Sequence, residues 1–208
     1  MPRPRATSDQ HILSATNRVI SRMGPNLTLA DVATEAGVSP ATLVQRFGSK
    51  RGLLLAFASA GSEDLGEYFA RIRATHRSPI AAIYEVGRGI AAMAETPEMM
   101  SNSLAFLQMD LVDPDFHKHA LAHSRAMQTE VQKLLDEAVG AGELLRCDTR
   151  KLARTIQALI GGAMLQWAID RDTTAVDRVR EDLDTLLRPR HCRPRERRRH
   201  PRRKVVRS

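Results

Sequence analysis

The chain has 208 residues, 42% hydrophobic and 27% charged, enough for one or two domains with a substantial buried core. Its two cysteines, Cys147 and Cys192, lie far apart and form neither a disulfide framework nor a zinc pair. No apolar run approaches the roughly 18 residues of a membrane helix and no secretory leader is evident, so a reducing cytoplasm is expected.

The formal charge of +8 is unevenly spread. Residues 1–60 carry seven Lys/Arg against three acids, residues 61–187 carry fourteen against twenty, and Arg188 to Ser208 holds eleven against one. Phosphate-seeking surface is therefore expected at the amino end and in the extreme tail, and not in the acidic middle.

Met1 to Thr7 reads as a Pro/Arg arm. From Ser8, the apolar positions Ile12, Leu13, Val19, Ile20 and Met23 mark a helix that ends at Gly24-Pro25. The next stretch, "LTLADVATEAGVSPATLVQRFGSK", predicts two short helices. Leu29, Val32, Ala33 and Ala36 share one face of the first, and Thr28 with Asp31 has capping-box spacing. Gly37 ends it through a positive φ. Ser39 caps the second, and Pro40 takes the first helical position, where its missing N–H costs nothing. Leu43 and Phe47 point inward, which leaves a small, polar and basic outer face. That arrangement fits a helix entering a major groove about 12 Å wide. The bland alternative is a hairpin that merely packs, but cap, proline, turn and basic residues all agree with DNA binding.

The run "TLADVATEAGVSPATLVQRFGSK", preceded by "HILSATNRVISRMG", resembles the DNA-binding domain of TetR-type transcriptional regulators over residues 10–57. The resemblance continues in general character to about residue 187. By reach, Thr42, Gln45 and Arg46 are candidates for hydrogen bonds to base edges or phosphate. Ser39, Pro40 and Ala41 come close to the groove, with Pro40 and Ala41 able to touch a thymine methyl. Lys50 and Thr28 are candidate phosphate contacts. Family members often carry Tyr and His where Val44 and Arg46 stand, and both commonly touch the DNA backbone. Val44 cannot hydrogen-bond, while Arg46 brings a full charge.

A long helix is expected from Ser49 to about Thr75. Ser78-Pro79, Thr96-Pro97 and Asp113-Pro114 then repeat the start signal of an N-cap followed by proline. "AVGAGEL" closes the helix from about Asp115 to Val139, and two more run from about Thr149 to Asp170 and Ala175 to Leu187. No segment alternates with period two. The expectation is an all-α chain of about nine helices. Its parts are a helix-turn-helix domain over 1–48, a helical effector-binding and dimerisation domain over 49–187, and an Arg-rich tail over 188–208. The tail holds three prolines, dense like charge and almost no apolar residues, so it is expected to stay disordered.

The resemblance implies a homodimer joined by a four-helix bundle of the last two helices from each chain. The apolar positions assigned to that seam are Leu152, Ile156, Leu159, Ile160, Ala163, Val179, Leu183 and Leu186. Gly161-Gly162 lies mid-helix, where each glycine costs about 1 kcal/mol relative to alanine, so close approach of another helix is expected there. The family also implies an effector pocket. Met93, Met100, Phe106, Met109, His123, Met127 and Trp167 are its candidate lining, although core filling explains any one methionine equally well.

His119 and His123 have i, i+4 spacing, but no acid or cysteine partner supports a metal. "GSKRG" lacks the leading glycine of a phosphate loop. No HExxH, GxSxG, CxxC or GxGxxG is present, so no enzyme activity, metal or cofactor is expected. The sequence thus reads as a cytoplasmic, homodimeric regulator, most often a repressor in such families. It would bind an operator in double-stranded DNA and be released by a small, largely apolar effector. The alternative is a sequence-tolerant architectural protein that coats DNA through its Arg-rich tail.

Overall fold

A computed structural model describes residues 7–63 and 65–191. The amino-terminal arm before Thr7, residue 64 and the tail from Cys192 lie outside the described residues, with the expectations made for them. Helix starts are set by short polar side chains. Ser8, Thr28, Ser39, Ser78, Thr96, Asp113, Asp148 and Thr174 each accept a hydrogen bond from a backbone N–H in the first turn that follows. Ser49 does the same for Gly52, at 3.0 Å. These caps satisfy donors that no intrahelical carbonyl can reach.

The elements run α1 (Asp9–Met23), α2 (Leu29–Ala36), α3 (Pro40–Phe47), α4 (Lys50–Glu63), α5 (Leu65–Thr75), α6 (Pro79–Ala91), α7 (Pro97–Val112), α8 (Pro114–Gly140), α9 (Thr149–Asp170) and α10 (Ala175–Leu187). Short 3-10 turns, Gly24–Asn26 and Arg188–Arg190, follow α1 and α10. The helix expected over 49–75 is described as α4 and α5 on either side of residue 64. The described residues contain no named strand, only a single bridge between Leu144 and His191. The fold is all-α.

Two apolar cores organise the helices. The first joins Ile12, Ala15, Val19 and Ile20 of α1 to Leu27, Val32, Ala33, Ala36 and Leu43, and to Leu53 and Leu54 of α4. It also takes in Phe116, only 2% exposed, from the start of α8. Phe106 stands edge-on between Phe57 and Phe116, with ring centroids 5.9 and 6.2 Å apart. Asn102 of α7 donates to the Ser21 carbonyl at 3.0 Å. The boundary expected at residue 48 therefore does not coincide with the edge of this core.

The second core is formed by α5 to α10. Gly87 lets α6 approach α10, because a Cβ there would lie 2.6 Å from Leu183 Cδ1. Helix α8, 27 residues and so roughly 40 Å long, connects the two cores. The Leu145 N–H donates to the Arg190 carbonyl at 2.8 Å, which pins the root of the tail beside the loop after α8, away from the first core.

The seam assigned from sequence needs correction. Leu152, Ile156, Ile160, Ala163, Val179 and Leu183 are buried within the single chain, and Leu159 and Leu186 pack partly buried against the same core. Their helical period marks the face that α9 and α10 turn to their own neighbours. Gly161 and Gly162 face open space, with nothing within 4 Å of an added Cβ. The close approach expected at the glycines therefore has no partner within the described chain.

Phe116→Ala should test how far the N-terminal core depends on α8. A buried Phe→Ala change costs about 3–5 kcal/mol. Amide exchange should accelerate first in α1 and α4. Acceleration confined to α9 and α10 would show that Phe116 supports the other core instead.

Candidate nucleic-acid interface

The helix-turn-helix is set by local hydrogen bonds. Asp31 N–H donates to Thr28 Oγ1 at 3.2 Å, and the Thr28 N–H and hydroxyl both donate to Asp31 Oδ2 at 2.7 Å. The hydroxyl of Thr28 holds the Asp31 carboxyl below the usual carboxylate range, helped by the Thr28 backbone N–H. Gly37 adopts φ 65° and ψ 34°, the left-handed conformation that turns the chain between α2 and α3. Val38 N–H then reaches the Ala33 carbonyl at 3.0 Å, and its side chain packs on the first core.

In α3, Ser39 Oγ accepts from the Thr42 N–H at 3.2 Å and meets Thr42 Oγ1 at 2.9 Å. Leu43 is fully buried and Phe47 packs partly buried beside it. Pro40, Ala41, Val44, Gln45 and Arg46 are exposed, while Thr42 is half-buried. Ala41, Val44 and Gln45 form an outward stripe at helical spacing, with Gln45 as its polar member.

Two candidate contacts are engaged in ways that sequence reasoning missed. Arg46 Nη1 donates to the Thr7 carbonyl and lies 3.0 Å from Asp9 Oδ1, so its head turns towards the start of α1. Lys50 Nζ donates to the Pro25 carbonyl at 2.7 Å. No local pattern announces either bond, since the partners lie 25 to 39 residues away. Arg18 and Arg22 each bind Glu35 at 2.6 Å, clamping α1 against α2. Those two guanidinium contacts hold the Glu35 carboxyl below its ordinary value.

A third long-range bond set lies behind the interface. Arg51 of α4 binds Asp113 and Asp115 at 2.8 and 2.9 Å, and its guanidinium stands 5.4 Å from the Phe116 ring centroid. The hydrogen bonds that Arg51 donates to Asp115 and Asp113 raise its pKa further. The corner between α7 and α8 is thus tied to the first turn of α4.

The proposed effector residues fall in different places. Met100, Met127 and Trp167 belong to the second core, and the Trp167 indole N–H donates to the Thr173 carbonyl at 2.8 Å. Phe106 and Met109 pack against the first core. His123 Nδ1 meets the Gly61 carbonyl at 2.9 Å, and Met93 is 58% exposed. The structure does not gather all seven into one site. An open cleft of about 600 Å³ lies elsewhere, between α6 and α10, and Tyr84, Arg88, Arg180 and Asp184 are among its lining.

Comparison with known proteins decides the family. Residues 12–57 match the family model for bacterial regulatory proteins of the tetR family, and residues 89–189 match that for the C-terminal part of BetI-type transcriptional repressors. The chain belongs to the TetR family. It is similar to the HTH-type transcriptional regulator BetI 1 of Chromohalobacter salexigens, with 28% identity over 177 residues, covering 83% of this chain and 84% of the relative.

Solved TetR-like structures share the fold. A transcriptional regulator from Saccharomonospora viridis in complex with choline matches with a TM-score of 0.68 and 21% identity, covering 89% of this chain and 97% of the other. FadR from Bacillus subtilis in complex with stearoyl-CoA matches at 0.63 and 17%, covering 86% and 98%. This TetR-family chain is a transcriptional regulator with a DNA-binding helix-turn-helix. No helix among its described residues is long and apolar enough to cross a membrane.

The exposed stripe and the tethered lysine separate in their effects on DNA. Gln45→Ala should change which base is preferred at one operator position, at a cost of about 1–3 kcal/mol. Lys50→Ala should weaken all sequences alike and lower the salt slope by about one. Equal losses on every sequence for both variants would refute base reading by Gln45.

Proposed function

We infer that this chain is a homodimeric, cytoplasmic repressor that a small effector releases from its operator, and that it is not an enzyme. The observation that carries the dimer is the open face of α9. Ala158, Gly162, Leu165 and Ile169 follow one another at i, i+4, i+7 and i+11, and all are exposed. Leu165 is 43% and Ile169 67% exposed, beside two glycines with nothing facing them. A stripe of this kind lets a second helix approach closely and bury apolar area. A second copy of α9 and its neighbour α10 fits it, with Leu159 and Leu186 at the margins. Two copies also place two α3 helices for a pseudo-palindrome with half-sites about 34 Å apart.

For the effector, Met100, Met127 and Met164 are each 8% exposed and Trp167 5%, all within the second core. Thioether side chains move aside more readily than branched ones, so this is where an apolar ligand can open space. Helix α8 then carries the change to Phe116 and the first core. To weaken operator binding tenfold to a hundredfold, the ligand must prefer the released conformation by about 1.4–2.7 kcal/mol. A DNA coater driven by the tail is disfavoured, because the family models match residues 12–57 and 89–189, which carry the helix-turn-helix and the later helices.

Leu165→Glu should place a charge in the seam. Sedimentation should show monomers that keep their helical circular dichroism and bind operator weakly. Leu183→Glu, inside the chain's own core, should unfold the protein instead. A dimeric Leu165→Glu protein would move the seam off α9.

Trp167, the sole tryptophan, reports on the effector region. Stearoyl-CoA is expected to shift its emission and to lower operator affinity in parallel. A response to choline and not to stearoyl-CoA would replace the apolar effector with a cationic one.

A further inference from the structure

A polar cleft of about 300 Å³ lies between α8 and α9, lined by Arg125, Gln128, Thr129 and Gln132 of α8 and by Arg150 of α9. Its two walls are stapled together. The Thr149 hydroxyl donates to Asp136 Oδ1 at 2.6 Å, and Gln157 Nε2 donates to Ser124 Oγ at 3.2 Å. Along both helices the lining residues fall between those two bonds, so the walls are fixed relative to each other. A preformed site of this kind lowers the ordering cost of binding.

The electrostatics of the cleft are one-sided. No acid is among the described residues that line it, although residues 61–187 hold twenty acids against fourteen Lys/Arg. The carboxylates next along the chain are engaged elsewhere. Asp136 is taken by Thr149, while Asp148 accepts from the Lys151 N–H at 3.0 Å and lies 3.5 Å from Lys151 Nζ. Among the described residues, the side chains of Arg125, Gln128, Gln132 and Arg150 carry no hydrogen bond or ion pair. Thr129 gives its hydroxyl hydrogen to the Arg125 carbonyl at 2.9 Å. Two guanidiniums and two amides are therefore left to donate to a ligand. Arg150 also stands in the first turn of α9, where the helix dipole favours an anion.

We propose that this cleft binds a phosphoryl group, either as free phosphate or on a small phosphorylated molecule, with Arg125 and Arg150 as its charged contacts. A phosphoryl dianion matches the two guanidinium charges, and its oxygens suit their planar forks and the glutamine amides. A carboxylate brings one charge and two oxygens, and leaves donors unmet. The bound anion bridges α8 and α9. Arg150 precedes Ala158 by eight residues, about 12 Å along the helix, so the site stands outside the apolar stripe of α9. It is also separate from the methionine cluster, and it does not rest on the effector assigned there.

The test titrates the full-length protein with inorganic phosphate, glycerol 3-phosphate and acetate by calorimetry at physiological salt. At least one of the two phosphates should fill a saturable site in each chain and raise the melting temperature. Acetate should bind more weakly than either. Arg125→Ala and Arg150→Ala should each weaken phosphate binding about tenfold, as expected for a lost hydrogen bond to a charged group. Arg77→Ala removes an exposed cation outside the cleft and should leave binding unchanged. Tighter binding of glycerol 3-phosphate supports a phosphorylated molecule as the source, and equal or tighter binding of inorganic phosphate supports the free ion. Acetate binding as tightly as phosphate would overturn the phosphoryl assignment. Equal losses for Arg77→Ala and the two cleft variants would overturn the site by exposing a diffuse charge effect, and so would the absence of any saturable binding.

Discussion

The placement of Phe116 is the constraint on which the rest of the structure depends. The residue belongs to α8, the helix that runs on into the second core, yet its ring completes the core of the helix-turn-helix region. Phe57 and Phe106 pack edge-on in the same cluster, and Arg51 covers the ring while binding Asp113 and Asp115. A close-packed core does not deform continuously. A shift of α8 must therefore either carry α4 with it or open a void around Phe116. That gives the two regions a mechanical connection made of named contacts.

Around that connection, the charge pattern separates tasks. The ion pairs of Arg18 and Arg22 with Glu35 orient α2 against α1, and each arginine is about half exposed, so their contribution to stability is modest. Their value is geometric, because α3 leaves α2 through a single tight turn. The outer stripe of α3 keeps small side chains at Pro40 and Ala41 and a hydrogen-bonding one at Gln45. The cationic groups at its edge, Arg46 and Lys50, are held by backbone carbonyls. Phosphate contact by either group has to compete with those bonds.

The second core shows how one helix divides its faces. On α9, Leu152, Ile156, Ile160, Ala163 and Trp167 turn inward, whereas Ala158, Gly162, Leu165 and Ile169 remain outside. Both sets have helical spacing, and the inward one is larger and more regular. A helix apolar on two faces needs two partners. The chain itself supplies one of them.

Helix positions were legible in the sequence because their causes are local. A Ser, Thr or Asp cap and the proline or glycine beside it act within four residues, and apolar spacing of 3.6 adds to them. Thr28, Gly37 and Ser39-Pro40 therefore mark the helix-turn-helix in the sequence alone, and the family resemblance rests on the same residues. Periodicity, however, shows that a face is buried and not what buries it. The seam read from Leu152, Ile156 and Leu183 proved to be the chain's own interior for that reason. The attachment of Arg46 to Thr7 and Asp9 and of Arg51 to Asp113 and Asp115 joins groups 37 to 64 residues apart along the chain, and Phe116 joins a core drawn from Ile12 to Leu54. Such contacts depend on how whole helices pack, and only the tertiary structure decided them.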